Sequence, residues 1–253
     1  MTKAQETLTL RPRLDVSVPK AAMVLSAGLG RRMRPLTATR PKPLIQVRGR
    51  PLVDYALQNL ERAGVTRAVI NVHYLADQVE AHVGRLQTAL DIRLSDERAE
   101  LLETGGGTKK ALDLIDADPF LVTNSDNILI DGPVDAIELL AQRWDPERMD
   151  ALLLLVPLMK AHGYAGRGDF RMERDGSISR RTGHRIAPFV YSGTQIVKRS
   201  LFADAPEGKF SFNVIFDRLL AKGRLFGVSH VGEWYHVGTP DAVKATERLL
   251  SGE

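Results

Sequence analysis

Five cations fall within twelve residues: Arg31, Arg32, Arg34, Arg40 and Lys42. They follow directly on a small-residue run, Ser26, Ala27, Gly28, Leu29 and Gly30. Glycines at the exit of a strand let backbone N–H groups turn inward and approach an anion without Cβ obstruction. Pro35, Pro41 and Pro43 stiffen the basic arm that comes next. A nest of amides followed by rigid cations suits a polyphosphate, whose charge must be neutralised while the phosphorus is held in line for attack. Gly28-x-Gly30 alone is a weak signal. A dinucleotide site wants a third glycine three residues later and an acidic residue about twenty further on. Here position 33 is Met33 and the following segment is basic, which disfavours a nicotinamide dehydrogenase.

Three further groups carry chemistry. In PFLVTNSD, Asp126 directly follows an apolar strand, where a hard cation finds an anionic oxygen ligand. An Asx-turn or a helix cap is the other reading of such an aspartate, and Asn124 and Asn127 supply turn chemistry beside it. In ETGGG, Thr104, Gly105, Gly106 and Gly107 are predicted to open a helix and to expose amides to a base and ribose. Glu97, upstream in SDERAE, is either an acceptor for the N–H of a base edge or a solvated acid. Asn124, Gly168, Asp169, Tyr191 and Ser192 are candidate sugar contacts, with short side chains that admit a pyranose ring and an acid that bonds hydroxyls.

The elements that must position these groups alternate. Four residues, Ala22 to Leu25, predict a buried strand ahead of the glycine turn. Pro51 opens a helix that Gly64 closes, TRAVINV is a second strand, residues 75–89 a second helix and DIRL a short strand. PVDAIELLAQRW predicts a helix and MDALLLLVPL a strand long enough to lie centrally. This alternation indicates an α/β fold, a doubly wound and mostly parallel sheet with helices on both faces. After Pro157 the rhythm changes to glycines, a hairpin at Arg174-Asp175-Gly176 and PFVYSGTQIV, predicted as a small β-rich lid. KFSFNVIFDRLLAKG, RLFGVSHV and TPDAVKATERLL then give a helix, a strand and a closing helix, with Thr239 as N-cap and Pro240 as first residue. The expected organisation is a loosely ordered extension over 1–19 and one domain over 20–253, split into a nucleotide-binding part (20–157) and a sugar-binding part (158–253).

At 253 residues with 43% hydrophobic and 26% charged residues, the composition is that of a globular protein. There are no cysteines, hence no disulfide framework, thiolate nucleophile or zinc-cysteine site. No apolar run spans a membrane, and the first twenty residues hold no secretory h-region, so residence in the cytoplasm is expected. Much of the basic excess behind the net charge of +4 sits in residues 31–48, beside the glycine turn, and again in 167–185, and aromatics are only 6%. That pattern points to a small anionic substrate rather than to nucleic acid.

The string Gly28, Gly30, Arg32, Pro35, Leu36, Thr37, Pro41, Lys42 and Pro43 resembles the signature of the sugar-nucleotidyltransferases, roughly G-x-G-x-R-x-x-P-L-T followed by P-K-P. The resemblance extends to the terminal helix. It implies a Rossmann-like domain that joins a nucleoside triphosphate to a sugar 1-phosphate and releases pyrophosphate. It further implies Mg2+ as cofactor, Asp126 as its ligand, and Arg32, Lys42 and Asp126 as catalytic residues. Residues 26–32, Glu97, Thr104, Gly105 and Gly106 would contact the nucleotide. The family places a second metal-binding aspartate in W-x-D-V-G-T-P, where this chain has His236 in EWYHVGTP. Imidazole is a poor magnesium ligand, so this departure leaves Asp126, phosphates and water to carry the ion, or His236 to meet phosphate. LETGGG, GRGDF and the compact length resemble most the members that transfer uridylyl groups to N-acetylmuramate 1-phosphate in cell-wall sugar recycling. Members acting on mannose 1-phosphate with GTP come next, and a sensor without turnover is the reading that His236 favours. No nucleic acid or membrane partner is expected, and the chain is expected to be a monomer or small homo-oligomer.

Overall fold

The computed structural model describes residues 14–252. Strands β1 (Ala21–Leu25), β4 (Arg67–Val72), β5 (Asp91–Asp96), β6 (Phe120–Asn124), β8 (Ala151–Pro157), β12 (Phe189–Val197) and β13 (Leu225–Ser229) build the main sheet. Their order is β13-β8-β12-β6-β1-β4-β5, and only β12 runs against both its neighbours. A hairpin of β10 (Phe170–Met172) and β11 (Ile178–Arg180) hangs on the start of β12 through Phe170 and Phe189. A small second sheet joins β7 (Asn127–Ile130), β14 (Glu233–His236) and β9 (Ala161–His162), and β2 (Gln46–Val47) pairs with β3 (Arg50–Pro51).

The helices are α1 (Leu52–Arg62), α2 (Ala76–Val83), α3 (Glu103–Lys110), α4 (Leu112–Ile115), α5 (Ala136–Arg143), α6 (Phe212–Ala221) and α7 (Pro240–Ser251). Strands buried on both faces read as unbroken apolar runs, and β8, ALLLLVP, is the purest case. Successive residues of β1 feed opposite cores. Ala22 and Val24 pack with Leu57 and Leu60 of α1, whereas Ala21 and Met23 pack with Ile115 of α4 and Phe216 of α6. Burying one such large side chain contributes about 1.5–3 kcal/mol, so this two-sided core makes the sheet a rigid platform. Local chemistry sets the helix ends. Gly64 at φ 86° and Gly223 at φ 64° close α1 and α6, Ser211 caps α6, and the Thr239 hydroxyl accepts from the Ala242 N–H ahead of Pro240.

Four expectations change. PFVYSGTQIV is not a lid strand: β12 is nine residues long and lies inside the main sheet between β6 and β8. A bulge between Tyr191 and Gln195 lets its first half leave β6 and carry the β10–β11 hairpin. Helix α2 stops at Val83, with Gly84 as its C-cap, rather than running to 89. Residues 1–13 of the expected loose extension lie outside the described residues. Its remainder packs: Val18 is buried in the core, and the Leu14 N–H donates to the Glu138 carboxylate.

The glycine triplet sits inside α3, not ahead of it, and the reason is close packing. The Gly105 and Gly106 N–H groups both donate to the Phe210 carbonyl, at 2.9 and 3.0 Å. A Cβ on Gly105 would lie 2.3 Å from the Phe210 ring, and one on Gly106 would lie 2.1 Å from the Gly208 carbonyl oxygen. Replacing a helical glycine by alanine ordinarily gains about 1 kcal/mol of propensity. Driving a methyl into backbone costs about 1–3 kcal/mol, and here the clash wins. Gly106→Ala is therefore expected to lower the melting temperature; a melt unchanged or raised would contradict this packing.

Candidate active site

Parallel pairing of β1 with β6 sets Leu25 opposite Asn124, so the chain leaves both strands at one end of the sheet. The Ser125 hydroxyl and N–H donate to the Leu25 carbonyl, at 2.8 and 3.2 Å, and hold the two exits together. A cavity of about 310 Å³ opens there. Its walls include Ser26, Ala27, Gly28, Lys42, Asn71, Glu103, Thr104, Asn124, Ser125 and Asp126. This is the carboxyl edge of the strands, where open α/β sheets take their ligands.

The turn after β1 presents unspent donors. Among the described residues, no hydrogen bond uses the N–H of Ala27, Gly28, Leu29 or Gly30. Nothing lies within 4 Å of the position a Cβ would take on Gly28, so its backbone faces open space. Gly30 adopts φ 60°, and the Thr37 hydroxyl donates to its carbonyl at 2.8 Å. A Cβ at Gly30 would press 2.9 Å against the Thr37 methyl, so glycine is required there. Tyr74 and Gln78 pin the arm from outside by donating to the carbonyls of Thr37 and Thr39, at 3.0 and 2.9 Å. Arg31 and Arg32 are exposed on the turn of 3-10 helix that follows.

Lys42 returns from that arm into the site. It is buried, and its Nζ donates to Asp126 Oδ2 at 2.7 Å. Burial works against the ionised Asp126, yet the Lys42 ammonium, with His236 and Arg32 beyond it, holds the carboxyl below the usual range. Burial likewise pushes the His236 imidazole below its ordinary value. Asp126 opposes that shift while Lys42 and Arg32 reinforce it, so His236 is neutral near pH 7. Its ring stacks on Trp234, with centroids 5.7 Å apart.

The donor set suits magnesium only in part. Asp126 Oδ1 makes no hydrogen bond among the described residues, and one carboxylate with substrate phosphates and water is a customary magnesium set. A neutral imidazole adds little to it. Among the described residues no group of three or more His, Asp or Glu side chains gathers to hold an ion.

Other expected residues lie behind the walls. Glu97 is wholly buried, its Oε1 accepts from Asn71 at 2.7 Å, and its Oε2 accepts from the Leu102 N–H at 3.0 Å. At 0% exposure and off the cavity wall, it presents no oxygen to a base edge in this structure. Gly105 and Gly106 have spent their amides on Phe210 and do not line the cavity. Thr104 does, while its hydroxyl accepts from the Phe212 N–H at 3.0 Å. Asp169 accepts from the Tyr191 N–H at 2.9 Å and so ties the loop at Gly168 to β12. Burial pushes the Tyr191 phenol up, and the Ser192 hydroxyl is buried accepting from Thr194. Asn124 alone of the expected sugar contacts reaches the cavity wall. Asn71 and Ser125 were missed. Asn71 was legible as the one polar residue in the apolar run AVINV that follows Arg67, whereas Ser125 carries no signal beyond its turn.

The phosphate-ready turn, the lysine–aspartate pair and the sheet order define a nucleotide-handling α/β protein. Residues 21–174 match the Nucleotidyl transferase family, and the chain belongs to it. It is 46% identical over 236 residues to the N-acetylmuramate alpha-1-phosphate uridylyltransferase of Caulobacter vibrioides, covering 92% of this chain and 98% of the relative. It is 35% identical over 230 residues to the Neisseria meningitidis protein of the same name, covering 90% of this chain and 97% of that one. Among solved structures, HddC from Yersinia pseudotuberculosis complexed with GMP-PN shares the fold. Its TM-score is 0.73 at 24% identity, over 90% of this chain and 98% of that chain. The chain has a mostly parallel Rossmann-like sheet, as expected, and no helix among the described residues is long and apolar enough to cross a membrane.

His236 and the buried His230 both have folded values pushed below the ordinary 6.5, chiefly by burial. The unfolded chain then binds more protons than the folded one below about 6.5, so stability falls as pH drops through that value. It keeps falling until the folded values are passed. Melting temperature is expected to decline from pH 7 to pH 5, with a shallower slope in His230→Gln; parallel slopes would contradict the assignment.

Proposed function

We propose that this protein transfers a uridylyl group from UTP to N-acetylmuramate 1-phosphate, giving the UDP-sugar and pyrophosphate, in cell-wall sugar recycling. One observation carries the nucleotidyl transfer: the turn of residues 27–30 keeps its N–H groups unspent, and its Ala27 and Gly28 line one cavity together with the Lys42–Asp126 pair. The choice of base and sugar draws support from the two uridylyltransferase relatives, each covered almost end to end. Mannose-1-phosphate guanyltransferase beta-B of Xenopus laevis is similar over only 117 residues, 45% of this chain and 32% of that one, so GDP-mannose synthesis is the second reading.

In the proposed reaction the turn amides, with Arg31 and Arg32, receive the triphosphate. Lys42 neutralises charge between the two substrates as the sugar phosphate oxygen meets the α-phosphorus in line, opposite the departing pyrophosphate. That oxygen is already anionic near neutral pH, so the site needs no protein nucleophile or strong base. Alignment and charge neutralisation do the catalysis. Asp126 would hold Mg2+ through Oδ1, and the ion when bound would screen the phosphate charges; His236 would stay outside its ligand set. Residues 20–157 would serve the nucleotide and 158–253 the sugar. Asn124 would touch the sugar, while Gly168, Asp169, Tyr191 and Ser192 frame that half, and Glu97, Thr104, Gly105 and Gly106 support the nucleotide half. A cytoplasmic monomer or small homo-oligomer, binding neither nucleic acid nor membrane, completes the reading.

The test is pyrophosphate release from four triphosphates paired with N-acetylmuramate, N-acetylglucosamine, glucose and mannose 1-phosphates. UTP with N-acetylmuramate 1-phosphate is expected to be fastest. No release from any pair would favour a sensor that binds sugar nucleotides without turnover. Asp126→Asn is expected to lower kcat by about 10²–10³ with little loss of melting temperature, and near-normal turnover would remove Asp126 from the chemistry.

A further inference from the structure

Two walls of the cavity are joined by a buried hydrogen-bond chain that runs through the wall residue Asn71 to Glu97 behind it. The Ser26 N–H donates to Asn71 Oδ1 at 2.7 Å, Asn71 Nδ2 donates to Glu97 Oε1 at 2.7 Å, and the Leu102 N–H donates to Glu97 Oε2 at 3.0 Å. Ser26 begins the glycine turn, and Leu102 is the N-cap of α3, beside the wall residues Glu103 and Thr104. Asn71 and Glu97 are 3% and 0% exposed, so water does not compete for these bonds. Glu97 is set by the sheet itself: it follows β5, and its N–H donates to the Val72 carbonyl at 2.8 Å. Gly107 keeps room for it, since a Cβ there would lie 2.5 Å from Glu97 Oε1.

The chain has a direction. A backbone N–H can only donate, so both its ends, at Ser26 and Leu102, demand acceptors. A carboxylate at 97 only accepts, which forces Asn71 to turn its NH2 toward Glu97 and its carbonyl oxygen toward Ser26. Glu97 thereby fixes the orientation of Asn71, and Asn71 fixes the first amide of the turn.

We propose that Asn71 and Glu97 are positioning residues that hold the triphosphate turn and the α3 wall in register for nucleotide binding. This rests on the nucleotidyl-transfer reading above. The hydrogen-bond chain has one other fully satisfied pattern. In Glu97→Gln the new NH2 must face one of two donors, Asn71 or Leu102, and a compensating flip of Asn71 only moves the conflict to Ser26. In Asn71→Asp a carboxylate is set against Glu97. In the double variant Asn71→Asp/Glu97→Gln, the new amide donates to the new carboxylate, which accepts from Ser26, and every partner is satisfied again at unchanged total charge.

The experiment measures UTP affinity by titration calorimetry with Mg2+, KM for the sugar phosphate, and melting temperature for wild type, both single variants and the swapped pair. Each single variant is expected to weaken UTP binding at least tenfold while KM for the sugar phosphate changes less than twofold, because displaced turn amides meet only the triphosphate. The swapped pair is expected to recover UTP affinity to within about threefold of wild type. Single variants that bind UTP like wild type, or a folded swapped pair that stays as weak as they are, would overturn the proposal. If neither single variant folds, Asn71→Ser, which cuts the chain without burying new charge, takes their place: weakened UTP binding supports the proposal and wild-type affinity overturns it. Wild-type protein that binds UTP yet releases no pyrophosphate would sink the transferase reading and leave this one standing.

Discussion

The Lys42–Asp126 ion pair is the contact on which the site depends. It joins the returning basic arm to the exit of β6, and both its residues line the cavity that Ala27 and Gly28 of the glycine turn also line. A buried ammonium is costly unless paired, and Asp126 meets that need while keeping its second oxygen free. On the proposed reading the pair supplies a cation for the phosphates and a carboxylate oxygen for a metal ion.

Everything nearby serves to fix that distance. β1 and β6 lie side by side with apolar cores on both faces, so their exits cannot drift apart. The arm is held by Thr37 inside and by Tyr74 and Gln78 outside. On the far wall, glycines in α3 bring the helix onto the segment around Phe210 and leave room for Glu97 beneath. The contrast between glycines is instructive. Gly28 is bare toward the cavity, where a ligand can come, whereas Gly105, Gly106 and Gly107 are bare toward other parts of the protein.

That contrast also marks what the amino-acid order makes legible. The strand–turn–arm unit could be read because each residue type there answers a local demand: positive φ at Gly30, a rigid approach at Pro41 and Pro43, a cation at Lys42. The alternation of strands and helices was equally plain. The destination of β12 was not, because an apolar strand bounded by glycines looks the same in a lid as in the middle of a sheet; long-range pairing with β6 and β8 decides it. Glycines in ETGGG were misplaced for a similar reason, since their partner at Phe210 lies about a hundred residues away in the chain. From sequence Glu97 reads as a base acceptor or a solvated acid, and it is neither exposed nor on the cavity wall: nothing in SDERAE indicates that it is buried against Asn71 and the Leu102 amide.

On the proposed reading the amides of residues 27–30 receive the triphosphate opposite Lys42 and Asp126. Backbone amide resonances followed by NMR during titration with UTP and Mg2+ test it most directly. The N–H signals of Ala27, Gly28, Leu29 and Gly30 are expected to shift furthest and to saturate together. Saturable binding that leaves those four signals in place, with the largest shifts elsewhere on the protein, would contradict it.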